Sequence, residues 1–391
     1  MTFSIHTSGA ARAAIDETVP GLVHDLVASR ITGGDSTLWG VAAEEDAATR
    51  LGWVEAVSVS RPLVAEITAL RAELHAKGIT RVVLAGMGGS SLAPEVITRT
   101  AGVNLTVLDS TDPDSVAAAL AEDLASTVLV VSSKSGSTVE TDSQRRAFED
   151  AFTKAGIDAA SRIVIVTDPG SPLDAAAREA GYRAVFNADP HVGGRYSALT
   201  AFGLVPSGLA GADIEELLDA AEDTAEILSD NAEDNIGLAL GAALGGTNPL
   251  RNKIVIVDEG SGLAGFPDWA EQLIAESTGK LQTGLLPVVA ESGAPEVTGG
   301  APDVLVVRIA APESEAEPEG DQVVVSGSLG AQMMLWEYAT AVAGRLLGIN
   351  PFDQPDVEAA KKAARGLLDA QPEPAAPSFV DGSVEVRGDA A

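Results

Sequence analysis

The stretch RVVLAGMGGSSLAPEV at residues 81–96 decides the fold, because it joins an apolar strand, a glycine-rich turn and a helix start. This order is typical of a βα unit in a parallel sheet, whose buried strands read as continuous apolar runs. The spacing Gly86-x-Gly88-x-x-Ser91 is one glycine short of a dinucleotide fingerprint, and Asp109 follows at about the distance of a ribose-binding acid. The two serines at the helix start instead suit a lone phosphate. The turn therefore indicates either a dinucleotide or a single phosphate.

Strands and helices alternate on both sides of this stretch, which predicts an α/β fold class with two doubly wound, mainly parallel domains. The first domain is predicted over residues 58–202, from the runs RVVLAG, LTVLDS, STVLVVSS, RIVIVTD and YRAVFNA. The second is predicted over residues 203–370, from NKIVIVD, LLPVV, DVLVVRI and QVVVSG. Residues 1–57 have helical periodicity and predict a helical N-terminal segment, and the Pro/Ala-rich residues 371–391 predict a tail without regular structure.

Composition narrows the classes of function. The 391 residues include 57 acidic and 25 basic side chains, a net charge of −32, so we expect no nucleic-acid partner and no anionic membrane surface. The chain has no cysteine, and its four histidines are not paired at helical spacing, so we expect no metal site. The N-terminal residues lack the apolar core of a signal peptide, and we therefore expect a cytoplasmic protein.

A second polar turn, SSKSGSTVET at residues 132–141, decides between dinucleotide and phosphate. Ser133, Ser135 and Thr138 bring hydroxyl groups to a helix start, and Lys134 adds positive charge. Hydroxyls and backbone N–H groups arranged in this way form an anion nest. Two such turns in one sheet favour a sugar phosphate over a dinucleotide, although an ordinary N-capping cluster is the alternative for this stretch alone.

Three further segments carry candidate chemistry. Two glycines precede Arg195 and let the backbone turn tightly, although a structural ion pair is the commoner role of a lone arginine. Gln272 and Glu276 lie four residues apart and share one helix face, where a solvated surface carboxylate is the ordinary alternative. Gln354 precedes a helix that contains Lys361, whose ordinary role would be on a solvated face.

These segments together resemble the glucose-6-phosphate isomerase (phosphoglucose isomerase) family, whose two SIS (sugar isomerase) domains hold a sugar phosphate between them. GMGGSS is similar to the family's Gly-Gly-Ser phosphate turn, SSKSGSTVET to its phosphate loop and VGGRYS to its arginine signature. QLIAESTGK is similar to the segment with the catalytic glutamate, and FDQPDVEAAK to the segment with the catalytic lysine. The five segments occur in the family's order over residues 82–361.

The resemblance implies an aldose–ketose isomerase of glycolysis and gluconeogenesis that interconverts glucose 6-phosphate and fructose 6-phosphate through an enediolate, as a homodimer without a cofactor. It implies that Glu276 is the base, that Arg195 stabilises the enediolate and that Lys361 assists at the ring oxygen. The residues that it implies for substrate binding are Gly88, Gly89, Ser90, Ser133, Lys134, Ser135, Thr138, Gln272 and Gln354.

The chain departs from the family in two respects. The family's ring-opening histidine lies between the glutamate and the lysine, whereas this chain has no histidine after His191. His191 is a candidate substitute. The chain resembles a compact branch, found alone or fused to transaldolase, whose members continue beyond this C-terminus. We therefore expect a C-terminally shortened chain, whose ring-opening group lies in the absent portion or in a partner subunit.

Two other hypotheses remain at this point. A regulatory SIS protein would bind a sugar phosphate with little or no turnover, but it has no use for a convergent base, arginine and lysine. An NAD-dependent dehydrogenase rests on the imperfect glycine fingerprint alone.

Overall fold

The fold is built on apolar strands that form two large sheets. The structure is a computed structural model that describes residues 4–312, 314, 318–370 and 375–388. The strands are β1 (Ser4–Thr7), β2 (Arg81–Gly86), β3 (Thr106–Leu108), β4 (Thr127–Ser132), β5 (Ile163–Thr167), β6 (Ala184–Asn187), β7 (Lys253–Glu259), β8 (Leu286–Val289), β9 (Val304–Ala310), β10 (Gln322–Ser326), β11 (Phe379–Asp381) and β12 (Val384–Val386). The helices are α1 (Gly9–His24), α2 (Val27–Thr32), α3 (Glu44–Ala48), α4 (Ala56–Ser60), α5 (Leu63–Ala76), α6 (Leu92–Thr100), α7 (Pro113–Ala121), α8 (Val139–Lys154), α9 (Pro172–Ala180), α10 (Ala201–Ala210), α11 (Ile214–Leu228), α12 (Ile236–Gly245), α13 (Phe266–Thr278), α14 (Pro295–Thr298), α15 (Leu329–Leu347) and α16 (Pro355–Ala370).

The first sheet is fully parallel, with the strand order β3-β2-β4-β5-β6. Its strands fall on the five apolar runs of the sequence, and β2 coincides with RVVLAG, so the predicted parallel sheet is confirmed. Because β2 pairs with β3 on one side and with β4 on the other, the chain reverses its winding direction between β2 and β4. Open α/β sheets bind ligands at the carboxyl ends of the strands at this switch point.

The two faces of the first sheet enter different cores. Val83, Leu129 and Ile165 pack with Phe148 and Phe152 on one face. The strand residues between these point to the other face of the sheet. They belong to a larger core that also contains the buried faces of α10, α13 and α15. Both faces are covered by helices, as a parallel sheet requires, and this explains why the strands are apolar on both sides.

The second sheet has the strand order β1-β10-β9-β7-β8, and β7 to β10 run parallel. Its parallel strands repeat the winding of the first sheet and confirm the mainly parallel α/β fold class. Strand β1 adds an antiparallel edge through the pairing of Ile5 with Val325. The N-terminal segment is therefore helical except for one strand that helical periodicity did not predict.

Helix α15 is the centre of the larger core. Its residues from Leu329 to Gly344 are all buried, and it packs closely on α12, where a Cβ added to Gly241 would lie 2.5 Å from Val342. Among the described residues, no helix has the length and apolarity needed to cross a membrane.

The chain divides into two units, and both five-stranded sheets belong to the first, Met1–Phe352. The second unit, Asp353–Ala391, contains α16 and an antiparallel hairpin of β11 and β12. The hairpin turns at Gly382, whose φ of +60° lies in the left-handed region that glycine adopts without strain. The Pro/Ala-rich composition did not predict this hairpin.

Candidate active site

The two polar turns singled out in the sequence lie side by side in the first sheet. Strands β2 and β4 are parallel neighbours, and Gly86 at the end of one pairs with Ser132 at the end of the other. The turn at residues 86–91 and the loop at residues 133–138 therefore leave the same edge of the sheet. This edge is the switch point, the place where open α/β sheets bind ligands.

The turn at residues 86–91, the glycine turn, also contacts α13 and the turn Gly194–Tyr196, which we call the arginine turn. The closest of these contacts involve its backbone. Gly88 has a φ of +57°, and a Cβ there would lie 2.8 Å from Gln272 Nε2. A Cβ on Gly89 would lie 2.2 Å from the carbonyl oxygen of Gly194. Gly89 requires glycine because backbone atoms occupy the space of a side chain, and Gly88 favours glycine because of its positive φ. This close approach brings three of the predicted segments together.

A Gly89→Ala substitution is expected to lower the melting temperature and the activity together, because the new methyl group would separate the two turns. Gly193 is the matched control, since its φ of −68° is ordinary and no heavy atom lies within 4 Å of a Cβ built there. Thermal melts and turnover measurements of Gly89→Ala and Gly193→Ala check this expectation. Equal behaviour of the two variants would contradict the proposed packing of the turns.

Arg195 is buried between the glycine turn and α13. It is only 3% exposed, its Nε donates to Ser277 Oγ at 2.7 Å and its Nη2 donates to the carbonyl oxygen of Pro351 at 2.6 Å. Its Nη1 lies 3.9 Å from Glu276 Oε2. A guanidinium fixed by two hydrogen bonds presents its charge at a defined place, as stabilisation of an anion requires.

Helix α13 presents Gln272 and Glu276 on the same face, as their spacing predicts. Gln272 Nε2 donates to Glu276 Oε1 at 2.9 Å, while the second carboxylate oxygen faces Arg195. The Glu276 side chain is 32% exposed, so a substrate can reach it. Ser277, the next residue, is fully buried behind it. The carboxylate is thus oriented from both sides and remains accessible.

The loop at residues 133–138 closes on itself through its hydroxyl groups. Ser133 Oγ and Thr138 Oγ1 are 3.2 Å apart, and Ser135 Oγ and Ser137 Oγ are 2.9 Å apart. Thr138 is the N-cap residue of α8, but its side chain makes no capping hydrogen bond in the structure. The loop therefore presents hydroxyl groups at the positive end of a long helix, an arrangement that suits an anion.

Lys134 binds acceptors that lie outside the loop at residues 133–138. Its Nζ donates to Asp168 Oδ2 at 2.7 Å and to the carbonyl oxygen of Pro190 at 3.2 Å. Burial lowers the pKa of Lys134 and raises the pKa of Asp168, although each partner's charge opposes that shift. The ammonium group joins the loop at residues 133–138 to the turns after β5 and β6, and the carboxylate of Asp168 opposes its charge.

The remaining predicted residues are Ser90, Gln354, Lys361 and His191. Ser90 is half-buried in the glycine turn. Gln354 lies in the second unit just before α16, and the side chain of Lys361, within α16, is outside the described part of the structure. His191 is 63% exposed and its Nδ1 lies 2.9 Å from Asp189 Oδ1.

Two groups of the site were not predicted from the sequence. Ser277 and the carbonyl oxygen of Pro351 fix the arginine, yet neither belongs to a recognisable motif for that role. The available signal for Ser277 was its place beside Glu276 in a helix with one buried face. The carbonyl oxygen of Pro351 had no local signal, since it lies 156 residues from Arg195.

Comparison with known proteins gives consistent matches. A model of the phosphoglucose isomerase family matches residues 65–300. The glucose-6-phosphate isomerase of Synechococcus sp. (strain JA-3-3Ab) is 31% identical over 357 residues, which cover 75% of this chain and 66% of that protein. The chain thus spans slightly less than two thirds of the length of this curated relative.

Solved structures show the same fold. A hypothetical protein from Thermus thermophilus superposes with a TM-score of 0.78 at 25% identity, covering 94% of this chain and 99% of that one. A glucose-6-phosphate isomerase from Chlamydia trachomatis superposes with a TM-score of 0.70 at 22% identity, covering 84% of this chain and 75% of that one.

Proposed function

This chain belongs to the phosphoglucose isomerase family, and from that premise we propose that it interconverts glucose 6-phosphate and fructose 6-phosphate. One observation carries the proposal. An accessible carboxylate, Glu276, lies 3.9 Å from the buried guanidinium of Arg195, beside a glycine turn at the switch point of the sheet. A base and a fixed cation are the two groups that proton transfer next to a carbonyl requires.

The proposed reaction moves one proton between adjacent carbons of the open-chain sugar. Glu276 removes the proton from C2 of the aldose or C1 of the ketose and returns it to the other carbon. A hydroxyl proton moves between O2 and O1 in the same conversion, so that the carbonyl group changes position and the charges balance. The negative charge that develops on the oxygens of the enediolate lies beside Arg195, while Gln272 orients the carboxylate through its hydrogen bond. The electrons stay within the sugar, so the conversion consumes no external oxidant or reductant.

The phosphate group is proposed to lie between the glycine turn and the loop at residues 133–138. Gly88, Gly89 and Ser90 offer backbone and hydroxyl donors from one side. The other side offers Ser133, Ser135 and Thr138 at the start of α8, and Lys134 contributes mainly by fixing the loop to Asp168. The positive end of the helix adds to the attraction for a phosphate.

Gln354, Lys361 and the ring-opening group remain proposals that rest on the family resemblance. The same is true of the homodimer, of the cytoplasmic location and of the boundaries 58–202 and 203–370. We propose that Lys361 contacts the ring oxygen, since it lies in the segment FDQPDVEAAK, which resembles the family's closing signature.

A Thr138→Val substitution is expected to raise KM and the dissociation constant of the sugar phosphate by about tenfold or more, with a smaller change in kcat. A hydrogen bond to a charged group contributes roughly 1.5–3 kcal/mol, and 1.4 kcal/mol corresponds to about a factor of ten. Thr153→Val is the matched control because Thr153 lies near the other end of α8 and donates to a backbone carbonyl within the helix. An unchanged KM in Thr138→Val would place the phosphate elsewhere.

A coupled assay tests the proposed activity directly. The wild-type chain is given fructose 6-phosphate together with glucose-6-phosphate dehydrogenase and its nicotinamide cofactor, and reduced cofactor is recorded. We expect turnover that depends on the chain and saturates with substrate. If the chain binds the sugar phosphate in calorimetry but shows no turnover, the isomerase proposal fails and a regulatory binding protein takes its place.

A further inference from the structure

A carboxyl group that the proposed reaction does not use lies in the middle of the central helix α15. Glu337 is fully buried, and neither of its carboxyl oxygens has a hydrogen-bond partner among the described residues. Buried polar groups are nearly always paired, so each exception calls for an explanation. An ionised carboxylate in this position would be costly, because no cation is shown to balance it.

The groups around Glu337 are almost entirely apolar. Helix α12 contains no titratable residue, and the buried face of α11 offers only apolar side chains and Thr224. Helix α13 contributes Ser277 to this core, and the arginine turn contributes Tyr196. Burial accordingly raises the pKa of Glu337 well above its usual range, which keeps the group neutral.

Tyr196 connects this carboxyl group to the candidate active site. Burial raises the pKa of the Tyr196 hydroxyl to about 12, Arg195 and Ser277 act in the opposite direction, and Glu337 adds to the increase. Helix α13 packs against the arginine turn, and Ser277 and Tyr196 are both buried. Tyr196 thus belongs to the same buried core as α15 and directly follows Arg195, which Ser277 holds.

Several polar atoms in the part of the core around Glu337 are buried without a partner among the described residues. Internal waters commonly join atoms of this kind. Thr340 lies one helical turn after Glu337, and its hydroxyl is likewise buried without a partner among the described residues. The Tyr196 hydroxyl has the same property. Internal waters typically join about three such groups. Ser277 Oγ, in the same core, accepts a hydrogen bond from Arg195 Nε at 2.7 Å.

We propose that Glu337 is a positioning residue that acts, as a neutral carboxylic acid, through Tyr196 and Ser277 to hold the guanidinium of Arg195. The O–H of the neutral acid donates a hydrogen bond within this cluster of buried polar groups, and this hydrogen bond fixes the tyrosine and serine hydroxyls. The guanidinium then stays beside Glu276, where the enediolate charge develops. The catalytic consequence rests on the proposed isomerase function, whereas the neutral buried acid does not.

Kinetics of two substitutions test the positioning role. Glu337→Gln keeps a neutral donor of the same shape, so it should keep most of kcat. Glu337→Leu removes the donor and should lower kcat by up to about 100-fold with little change in KM, because a small displacement of a catalytic group can cost that factor. Leu335→Ala is the control, since it opens a cavity in the same helix two residues away and should lower thermal stability while leaving kcat of the folded protein unchanged. A wild-type kcat in Glu337→Leu would overturn the proposal.

The pH dependence of stability tests the neutral acid without any assay of activity. A carboxyl group whose pKa is raised in the folded state stabilises that state fully below its ordinary value of 4.5, and this contribution is lost as pH rises toward the folded-state pKa. Glu337→Gln cannot ionise. Its melting temperature relative to wild type should therefore increase between pH 5 and the raised pKa of Glu337. A difference that stays constant with pH would overturn the proposal.

The kinetic and pH measurements distinguish a failure of the isomerase proposal from a failure of the proposed role of Glu337. If the wild type shows no turnover, the isomerase function fails, and the pH series alone decides whether Glu337 is a buried neutral acid. If turnover is present but Glu337→Gln loses as much kcat as Glu337→Leu, the neutral donor is not what positions the arginine, and the inference fails while the function stands.

Discussion

Replacing Glu276 with glutamine is expected to lower kcat by roughly 100- to 10,000-fold, because a positioned general base contributes about this factor to proton transfer. Glutamine keeps the shape of the side chain and can still contact Gln272, but it cannot accept a proton. KM should change little, since the phosphate group is held by the glycine turn and the loop at residues 133–138. The measurement is the coupled assay with fructose 6-phosphate at saturating concentration.

Glu271→Gln provides the matched control for this substitution. Glu271 lies nearby on α13, and burial together with the charge of Asp268 raises its pKa, so it is also a perturbed carboxyl group. It has no contact with Arg195 among the described interactions, and its substitution should leave kcat unchanged. If Glu276→Gln instead retains nearly full kcat, the base is another residue and the assignment of Glu276 is wrong.

Replacing Arg195 with methionine is expected to lower kcat by about 100- to 1,000-fold, the effect of removing one preorganised donor to a developing oxyanion. It should also destabilise the protein, because Ser277 Oγ and the carbonyl oxygen of Pro351 would each lose a buried donor, at a cost of about 1–3 kcal/mol per group. Arg195→Lys should recover little of kcat, since a lysine cannot reproduce the planar fork that reaches both acceptors.

Arg99→Met is the control for Arg195→Met. The Arg99 side chain is 57% exposed on α6 and pairs with Glu95 within the same helix, an ion pair of small energetic value. Its substitution should change neither kcat nor the melting temperature appreciably. If Arg195→Met unfolds the protein, the lysine variant still decides the role, because it retains a positive charge. A lysine variant with full kcat would show that the charge alone matters and not the fixed geometry.

The parallel sheets were predictable because buried parallel strands are apolar on both faces and appear as uninterrupted β-branched runs. Strand β2 coincides with one such run. Strand β1 was not predictable, since SIHT has no such signal and its partner β10 lies about 320 residues away in the chain. Pairing across such a distance is decided by the assembled core and leaves no mark on the local sequence.

The site was predictable where its geometry follows from spacing alone. Gln272 and Glu276 share a helix face because they are four residues apart, and the hydrogen bond between them follows. The direction of a long side chain in a loop does not follow from spacing. The ammonium group of Lys134 contacts Asp168, a partner 34 residues further along the chain, and only the pairing of β4 with β5 brings the two together.

The central claim is that Glu276 transfers a proton to and from a sugar-phosphate carbon beside Arg195. The most direct test is to convert fructose 6-phosphate in deuterated water and to locate deuterium in the sugars by NMR. Wild type should place solvent deuterium on C2 of glucose 6-phosphate and on C1 of fructose 6-phosphate, and Glu276→Gln should do so hardly at all. Conversion by the wild type without any deuterium on these carbons, or labelling by Glu276→Gln at the wild-type rate, would contradict the claim.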